Sequence, residues 1–403
     1  MRNTLCDKHA VKQVVMMKMA LPERQDIWRA EIKQFKITLL SPRHFLSPFK
    51  LLFYSPSVTI GQSFTQFIQS QTMIATKLLY QAALEIPSRQ TLIINAHAHA
   101  LLTSMESIDL QQHFKPEYTA IKNIGLSVFP ALPDTSRLYD LILLLPAKNK
   151  QQTLGWMAEA MNRLSTNGKF MFACANAHGA KSYEAALKKL AGNVSSRSKS
   201  KCRLCSARKL SAFNASFAAQ WLEDARPRSI ESHGMISRPG LFSWDHADTG
   251  SSLLIKQLPV LRGIGMDLCC GYGLLTENIL RQSTDIKQIH LLDADWLALD
   301  CARQNTTTWQ NIVQWHWKDA MHNSLPKQLD WVVCNPPFHS DQSRDVGLGQ
   351  SIVLHACQSL KRGGQLYLVA NRQLPYEQLL RSELRQCQIL VEADGFKVIK
   401  GIR

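Results

Sequence analysis

The second half of the chain alternates apolar runs of strand length with segments of helix length, and this alternation constrains the fold more than any other feature. The apolar runs cover residues 264–268, 288–292, 312–316, 330–334 and 365–370. Most of their residues are apolar, without the alternation of a half-exposed strand, as in parallel strands buried on both faces. Helix-length segments such as 274–281 and 346–360 separate them. The pattern predicts an α/β fold with a doubly wound parallel sheet.

The last two apolar runs, residues 388–391 and 396–399, are separated by Ala393-Asp394-Gly395. An Asp-Gly step between two such runs favours a tight hairpin, because both residues tolerate the positive φ angles of the turn. We therefore expect an antiparallel hairpin at the edge of the sheet.

An internal sequence repeat indicates that the first half has the same α/β fold as the second. The matching segments, in chain order, are 100–103 with 273–276, 140–146 with 330–336, and 167–176 with 363–371. In the middle pair, an Asp and a Pro stand six positions apart in both copies. We infer two copies of one α/β unit in tandem.

The length of 403 residues suits two domains of ordinary size. Repeated Ser-Pro steps resist helix formation near the start, so we expect residues 1–60 to be an irregular N-terminal extension. The charge pattern changes around Arg226-Pro227-Arg228. We therefore predict a first domain over residues 61–225 and a second over residues 226–403.

The distribution of charge distinguishes the two halves. The net charge is +16; residues 1–230 contain 30 basic and 14 acidic side chains, whereas residues 231–403 contain 17 of each. Lys148, Lys150 and the segment 181–209, with nine basic residues against one acid, contribute to the excess. Such a surface suits a polyanion, because Lys and Arg release counterions from phosphates. The alternative is that the charge serves solubility alone.

Membrane, secretory and metal-binding classes are disfavoured. No apolar stretch approaches the roughly 18 residues of a membrane-spanning helix, and the N-terminus lacks the pattern of a secretory signal. The ten cysteines are scattered, which favours a reduced, cytoplasmic environment. His97-x-His99 and Cys202-x-x-Cys205 each supply only two ligands, so we expect no metal site.

Residues 266–276 run from a predicted strand through a glycine turn into a helix, which indicates a nucleoside cofactor. Gly271 and Gly273 let the backbone approach a ligand at the helix N-terminus. Asp293, at the end of the next strand, can accept both hydroxyl hydrogens of a ribose. Asp267 can meet a cationic amino group, and Asp319 can meet an adenine amine; a surface cap or turn is the alternative for each.

The fourth strand ends in Asn335-Pro336-Pro337-Phe338-His339. The two prolines hold the backbone rigid at the edge where open α/β sheets bind ligands. The Asn335 side-chain oxygen and the Pro336 carbonyl can accept both hydrogens of an exocyclic amine, and Phe338 can stack on the ring. We predict catalytic roles for these three residues. Pro337 and His339 are candidate substrate contacts, with a purely structural loop as the alternative.

Residues 238–403 resemble a class I S-adenosylmethionine-dependent methyltransferase of the Asn-Pro-Pro-Phe type. The resemblance is closest to the bacterial ribosomal RNA guanine-N2 methyltransferases, and four segments carry it: 239–243, 248–254, 335–339 and 369–376. Those enzymes have two tandem Rossmann-like class I domains, of which the N-terminal one is degenerate. The resemblance implies that Asp248 and Gly250 belong to the cofactor site. Cys269 departs from it, since a glycine is usual at that position.

The resemblance implies methyl transfer from S-adenosylmethionine to the N2 amine of a guanine in ribosomal RNA, free or in a ribosomal subunit. The first half lacks the glycines and the amine clamp, having Ala98, Ala100 and Leu145-Pro146-Ala147-Lys148 instead. We therefore expect it to hold RNA, with Lys148 and Lys150 as contacts. An Asn-Pro-Pro corner that accepts amine hydrogens also suits methylation of adenine N6 or of a protein glutamine, so these substrates are alternatives. A noncatalytic RNA-binding role in ribosome assembly is a further alternative.

Overall fold

The computed structural model describes residues 59–403, apart from 134–135, 212, 323 and 338–345; for residues 59–70 and 346 it describes only the helical backbone. The described residues all belong to one compact unit. The predicted extension therefore lies outside the described residues, except for Thr59 and Ile60, which begin the first helix. The predicted boundary between residues 225 and 226 stays a prediction.

The first half is built on a six-stranded sheet. Its strands are Thr91–Ile94 (β1), Ile108–Leu110 (β2), Tyr139–Leu144 (β3), Leu164–Ala175 (β4), Ser195–Lys199 (β5) and Cys202–Arg208 (β6). The spatial order is β2-β1-β3-β4-β6-β5, with parallel pairing up to β4 and antiparallel pairing beyond it. The centre of the sheet consists of buried runs, residues 91–94 in β1, 141–144 in β3 and 170–175 in β4, because both faces of the sheet are covered there.

Helices lie on both faces of this sheet. They are Thr59–Leu84 (α1), Lys115–Asn123 (α2), Lys150–Arg163 (α3), Ala180–Ala191 (α4) and Ala215–Ala225 (α5), with 3-10 turns at Ala100–Ser104 and Asn176–His178. Two apolar clusters result. One packs α3, α4 and α5 against the sheet, and the other packs α1 against the opposite face. A short antiparallel ribbon, Arg228–Ser229 (β7) and Ile236–Ser237 (β8), follows α5.

The second half is built on a seven-stranded sheet. Its strands are Gly263–Leu268 (β9), Ile286–Asp293 (β10), Val313–Trp317 (β11), Leu329–Cys334 (β12), Leu360–Asn371 (β13), Gln386–Ala393 (β14) and Phe396–Ile402 (β15). The order is β11-β10-β9-β12-β13-β15-β14. All five predicted parallel strands are confirmed, since β9 to β13 include the predicted runs within a residue at their ends.

The helices of the second half cover both faces of the sheet again. They are Thr249–Gln257 (α6), Leu274–Gln282 (α7), Trp296–Asn305 (α8), Val346–Ser359 (α9) and Tyr376–Glu383 (α10), with a 3-10 turn at Thr307–Trp309. The predicted hairpin is also confirmed. β14 and β15 pair antiparallel, and the turn residues Asp394 and Gly395 have φ angles of 52° and 81°, as a tight hairpin requires.

The two sheets are copies of one topology, which confirms the repeat. The order β2-β1-β3-β4-β6-β5 corresponds to β10-β9-β12-β13-β15-β14. Asp140 and Asp330, which match in the sequence repeat, also make similar hydrogen bonds. Asp140 Oδ2 accepts a hydrogen bond from the Arg89 backbone N–H, just before β1, and Asp330 Oδ2 accepts one from the Ile264 N–H in β9. The fold is therefore two tandem Rossmann-like units.

The two halves meet through the loops after β2 and β10, which are themselves counterparts. Phe114 and Asp295 form an isolated antiparallel bridge. The Lys115 N–H donates to the Ala294 carbonyl at 2.8 Å, and the Trp296 N–H donates to the His113 carbonyl at 2.9 Å. Because the strand registers make Lys115 the counterpart of Trp296, and His113 that of Ala294, an approximate two-fold axis relates the halves at this contact.

Candidate functional site

The turn between β9 and α7 has the backbone conformation that its sequence predicts. Gly271 has φ of 55° and Gly273 has φ of 91°, in the left-handed region that favours glycine. A Cβ atom added at Gly271 would meet nothing within 4 Å, so the space above the turn is open. Cys269 also has a positive φ, 63°, and its side chain packs against the apolar cluster that contains Cys334.

Asp267 is completely buried at the end of β9. Its Oδ2 accepts hydrogen bonds from the Thr276 backbone N–H at 3.1 Å and from the Thr276 hydroxyl at 2.7 Å. Its Oδ1 is buried without a hydrogen-bond partner. Burial raises the pKa of this carboxyl to about 7. A buried acceptor without a donor is costly, and a cationic group of a ligand would satisfy it.

Asp293 ends β10 beside the glycine turn. Its Oδ2 accepts a hydrogen bond from the Gly271 N–H at 2.8 Å, and its Oδ1 accepts one from the Asp295 N–H at 2.8 Å. Desolvation raises the pKa of this half-buried carboxyl to about 6. Each carboxylate oxygen retains a lone pair, so Asp293 can still accept two hydroxyl hydrogens.

Asn335 follows β12, and its side-chain amide has a fixed orientation. Nδ2 donates to Asp248 Oδ2 at 2.9 Å and to Ser251 Oγ at 2.8 Å. Both amide hydrogens are thus used, and Oδ1 faces away from these two partners. Pro336, directly after Asn335, is buried in the protein, whereas Pro337 is exposed to solvent.

Asp248 and Gly250 lie at the start of α6, where the structure gives them contacts that the sequence did not reveal. Asp248 caps the helix, because its Oδ2 accepts the Ser251 N–H at 2.7 Å. A Cβ atom at Gly250 would lie 3.0 Å from the Phe396 ring of β15. Asp248 is thus connected to Asn335, and Gly250 to the sheet. Their predicted role in cofactor binding stays a prediction.

Asp319 follows β11 at the same edge of the sheet. Its Oδ1 accepts the Met321 N–H at 2.8 Å, and its Oδ2 lies 2.8 Å from His322 Nδ1. β9, β10, β11 and β12 run parallel, so the carboxyl ends that carry the predicted residues share one edge. The predicted adenine contact of Asp319 stays a prediction.

Four further residues were predicted to contact the substrate, and none of them is seen at this edge of the second sheet. Phe338 and His339 lie outside the described residues, so their predicted roles stay predictions. Lys148 and Lys150 are exposed and follow β3 in the first sheet, not the sheet that carries Gly271 and Asn335. Their predicted RNA contacts likewise stay predictions.

The corresponding edge of the first sheet is closed by its own side chains. The strand registers make these pairs counterparts: Ile93 and Asp267, Gln112 and Asp293, Leu145 and Asn335. Gln112 Nε2 donates to Asn95 Oδ1 and the Ala96 carbonyl, and Asn95 Nδ2 donates to the Leu145 carbonyl. The acidic groups and the amine clamp are therefore absent at these counterpart positions.

The registers also correct one detail of the predicted repeat. Counting from the last residues of β1 and β9, His97 and His99 correspond to Gly271 and Gly273. The sequence match of Ala98 and Ala100 with these glycines is therefore wrong by one residue. His99 caps the 3-10 turn that follows, with its Nδ1 accepting the Leu101 N–H at 3.1 Å, as Gly273 precedes α7.

Sequence reasoning missed two residues of the site, Thr276 and Ser251. Thr276 orients the Asp267 carboxyl, and Ser251 accepts a hydrogen bond from Asn335. Ser251 stands in the segment that carries the family resemblance, and Thr276 stands in a segment of the repeat. Sequence position alone does not assign a partner to either hydroxyl.

The residues present fit the predicted methyl donor. The buried, unpartnered Asp267 Oδ1 suits its ammonium group, Asp293 suits a ribose, and the space beside Gly271 is open. No group of three or more His, Cys, Asp or Glu side chains suited to a metal ion occurs among the described residues. The helices within that part of the chain are too short or too polar to cross a bilayer.

Comparison with known proteins agrees with this geometry. Residues 232–400 match the family described as Methyltransferase small domain. The chain is similar to the ribosomal RNA small subunit methyltransferase C of Pseudomonas syringae pv. syringae, with 31% identity over 225 residues, 55% of this chain and 67% of that protein. It is 32% identical to the corresponding Pseudomonas entomophila protein over 42% of this chain and 51% of that protein.

A solved structure matches both halves. The T. thermophilus 16S rRNA N2 methyltransferase RsmC, in complex with AdoMet and guanosine, superposes with a TM-score of 0.67 at 22% identity. The match covers 81% of this chain and 91% of that one, which shows the tandem fold. The chain spans about half the length of several curated relatives that it matches. The Pseudomonas syringae relative is 31% identical, and the match covers 67% of its length. The chain therefore belongs to the family of bacterial ribosomal RNA guanine-N2 methyltransferases.

Proposed function

We propose that this protein transfers a methyl group from S-adenosylmethionine to the exocyclic N2 amine of a guanine in ribosomal RNA. One observation carries the proposal: the Asn335 amide is held with its oxygen turned away from Asp248 and Ser251, at the sheet edge that also carries Asp267 and Asp293. Family membership supports the choice of guanine in ribosomal RNA as substrate.

Four residues would hold the methyl donor. Asp267 Oδ1 would accept hydrogens of the amino group, Asp293 would accept those of the ribose hydroxyls, and the open backbone at Gly271 would allow close approach. When bound, S-adenosylmethionine supplies an electrophilic methyl group on a sulfonium. Asp319 is proposed to accept from the adenine amine.

The Asn335 corner would prepare the substrate amine. Its Oδ1 and the Pro336 carbonyl accept the two amine hydrogens, which turns the nitrogen lone pair out of conjugation with the ring. Holding the amine in this orientation lowers the entropic part of the barrier. Pro337, Phe338 and His339 are proposed to contact the flipped base, with Phe338 stacking on it.

The first half is proposed to hold RNA. Arg197 and Lys199 alternate with serines on β5, an edge strand whose five residues are all exposed. Lys201, at the turn into β6, is exposed as well, and so are Lys148 and Lys150. This charge suits the phosphates of ribosomal RNA or of a ribosomal subunit, substrates that would place the protein in the cytoplasm.

Incubation with labelled S-adenosylmethionine and separated ribosomal RNAs tests the function. We expect label in RNA, and nucleoside analysis should identify N2-methylguanosine. Label in N6-methyladenosine, or in glutamine of a protein fraction, would replace guanine as the target. Donor binding without transfer to RNA, to subunits or to protein would favour a noncatalytic ribosome-assembly role.

The salt dependence of RNA affinity tests the RNA-binding surface. Each phosphate contact contributes about 0.7 to 0.9 to the slope of log K against log salt. Replacing Arg197 and Lys199 together by Ala should therefore make the salt dependence less steep, with the magnitude of the slope smaller by about 1 to 2, and weaken RNA binding at low salt. The control is Lys287→Ala, an exposed lysine of β10 in the second half. Equal slopes for the double variant and the control would exclude β5 from the RNA interface.

Donor affinity should depend on pH through Asp267 and Asp293, whose pKa values are about 7 and about 6. Both groups bind their proposed partners best when ionised. Since lowering the pH through 7 to 6 protonates them, affinity should fall by up to about tenfold per unit for each group. Calorimetry from pH 8 to pH 5.5 measures this. In Asp267→Asn the component near pH 7 should disappear; an unchanged pH profile in that variant would contradict the assignment.

A further inference from the structure

We infer that Asp248 and Ser251 are positioning residues for the transfer step: they fix the rotation of the Asn335 amide so that its oxygen, and not its nitrogen, meets the substrate amine. The inference rests on the proposed function. It also gives Asp248 a role different from cofactor binding, because the contact that the structure shows is with the amine clamp.

The hydrogen bonds leave one orientation for the amide. Asp248 Oδ2 accepts from the Ser251 backbone N–H at 2.7 Å and from Asn335 Nδ2 at 2.9 Å. A carboxylate has no hydrogen to give, so the atom that faces it must be the amide nitrogen. Ser251 Oγ takes the second hydrogen at 2.8 Å. A flipped amide would set its oxygen against the carboxylate and lose the bond to Asp248. The Ser251 hydroxyl can donate as well as accept, so Asp248 decides the orientation and Ser251 takes the remaining amide hydrogen.

The two partners are themselves held firmly. Asp248 is the N-cap of α6, and Ser251 is buried in the first turn of that helix. Gly250, between them, lies so close to the Phe396 ring that a Cβ atom would be 3.0 Å from it. The start of α6 is therefore packed directly on β15, and the amide of Asn335 is tied to a rigid part of the fold.

The chemical consequence concerns donors and acceptors. A guanine N2 amine presents two hydrogens, so an amide that offers its NH2 group would place donor against donor. The unconstrained amide interchanges these two orientations at little cost, and only one is productive. Asp248 selects the productive one before the substrate arrives and Ser251 holds the second amide hydrogen, which is preorganisation of an electrostatic kind.

Ser251→Ala is the sharpest single change, because it removes one acceptor and leaves the helix cap through the backbone N–H. We expect kcat to fall about tenfold, as for the loss of one hydrogen bond, while KM for RNA and Kd for the donor stay within about twofold. Ser252→Ala, the next residue of the same helix, is the matched control. Equal kcat for the two variants would overturn the inference.

Asp248 supplies the conservative rescue. Asp248→Asn keeps an oxygen that can accept from both Ser251 N–H and Asn335 Nδ2, so its kcat should remain within about threefold of the wild type. Asp248→Ala should lose about 10²-fold in single-turnover rate, measured on protein shown to be folded by circular dichroism. A loss confined to donor affinity in Asp248→Ala would overturn the inference and assign Asp248 to the cofactor.

A double-mutant cycle separates action through Asn335 from independent action. In an Asn335→Ala background, Ser251→Ala should cause no further loss of single-turnover rate. Additive losses would overturn the inference. Wild-type protein that transfers no methyl group to RNA would instead overturn the proposed function, and the two failures are therefore distinguishable.

Discussion

Asn335→Ala is expected to lower the rate of methyl transfer by about 10²- to 10³-fold, the range seen when one preorganised group that stabilises a transition state is removed. The variant loses the only side-chain oxygen of the proposed clamp, while the Pro336 carbonyl remains. Donor binding should persist, because Asp267, Gly271 and Asp293 are unchanged. Single-turnover transfer to RNA and calorimetry with the donor measure the two effects separately.

The control for this variant is Asn311→Ala, an exposed asparagine that lies before β11. It should retain wild-type turnover. Removal of Asn335 also leaves Asp248 Oδ2 and Ser251 Oγ without one partner. A modest loss of stability is therefore expected, and rates must be compared at a temperature well below unfolding. Wild-type turnover by Asn335→Ala would remove the amine clamp from the mechanism.

Asp293→Ala is expected to raise the donor Kd by about 10²- to 10⁴-fold, because two hydrogen bonds from hydroxyls to a charged group are lost at about 1.5 to 3 kcal/mol each. The variant also removes the acceptor of the Gly271 N–H, so the glycine turn loses an anchor. Calorimetry with the donor or its demethylated product measures the change.

Asp285→Ala is the matched control, since Asp285 is an exposed carboxylate just before the opposite end of the same strand. Its donor affinity should equal that of the wild type. The RNA affinity of Asp293→Ala should also be unchanged, because the basic surface lies in the first half. Unchanged donor affinity in Asp293→Ala would show that the ribose assignment is wrong.

The closed edge of the first sheet explains why a tandem fold has one candidate site. Gln112 occupies the position of Asp293, yet it donates to Asn95 and Ala96 in the turn after β1 instead of presenting acceptors to a ligand. Leu145, at the position of Asn335, has no side-chain oxygen and is buried. Restoring a donor site there would require at least the two acidic residues and the opening of this turn.

Predictions from local pattern succeeded where the physical cause is local. Apolar runs predicted β9 to β13, and Asp394-Gly395 predicted the final hairpin, because strand burial and turn conformation depend on neighbouring residues. The glycine turn was predicted for the same reason. The one-residue error at His97 and His99 arose because short sequence matches carry no information on strand register.

The sequence by itself determined the tandem α/β architecture, the glycine turn and the Asn-Pro-Pro corner, since periodicity and backbone preference are properties of short segments. Only the tertiary structure decided that Asp248 holds Asn335, 87 residues away, and that the loops at Phe114 and Asp295 join the halves. Such contacts depend on how helices pack on sheets and on which residues the registers bring opposite each other. A hydrogen bond between distant side chains forms only after that packing has set their separation to about 3 Å.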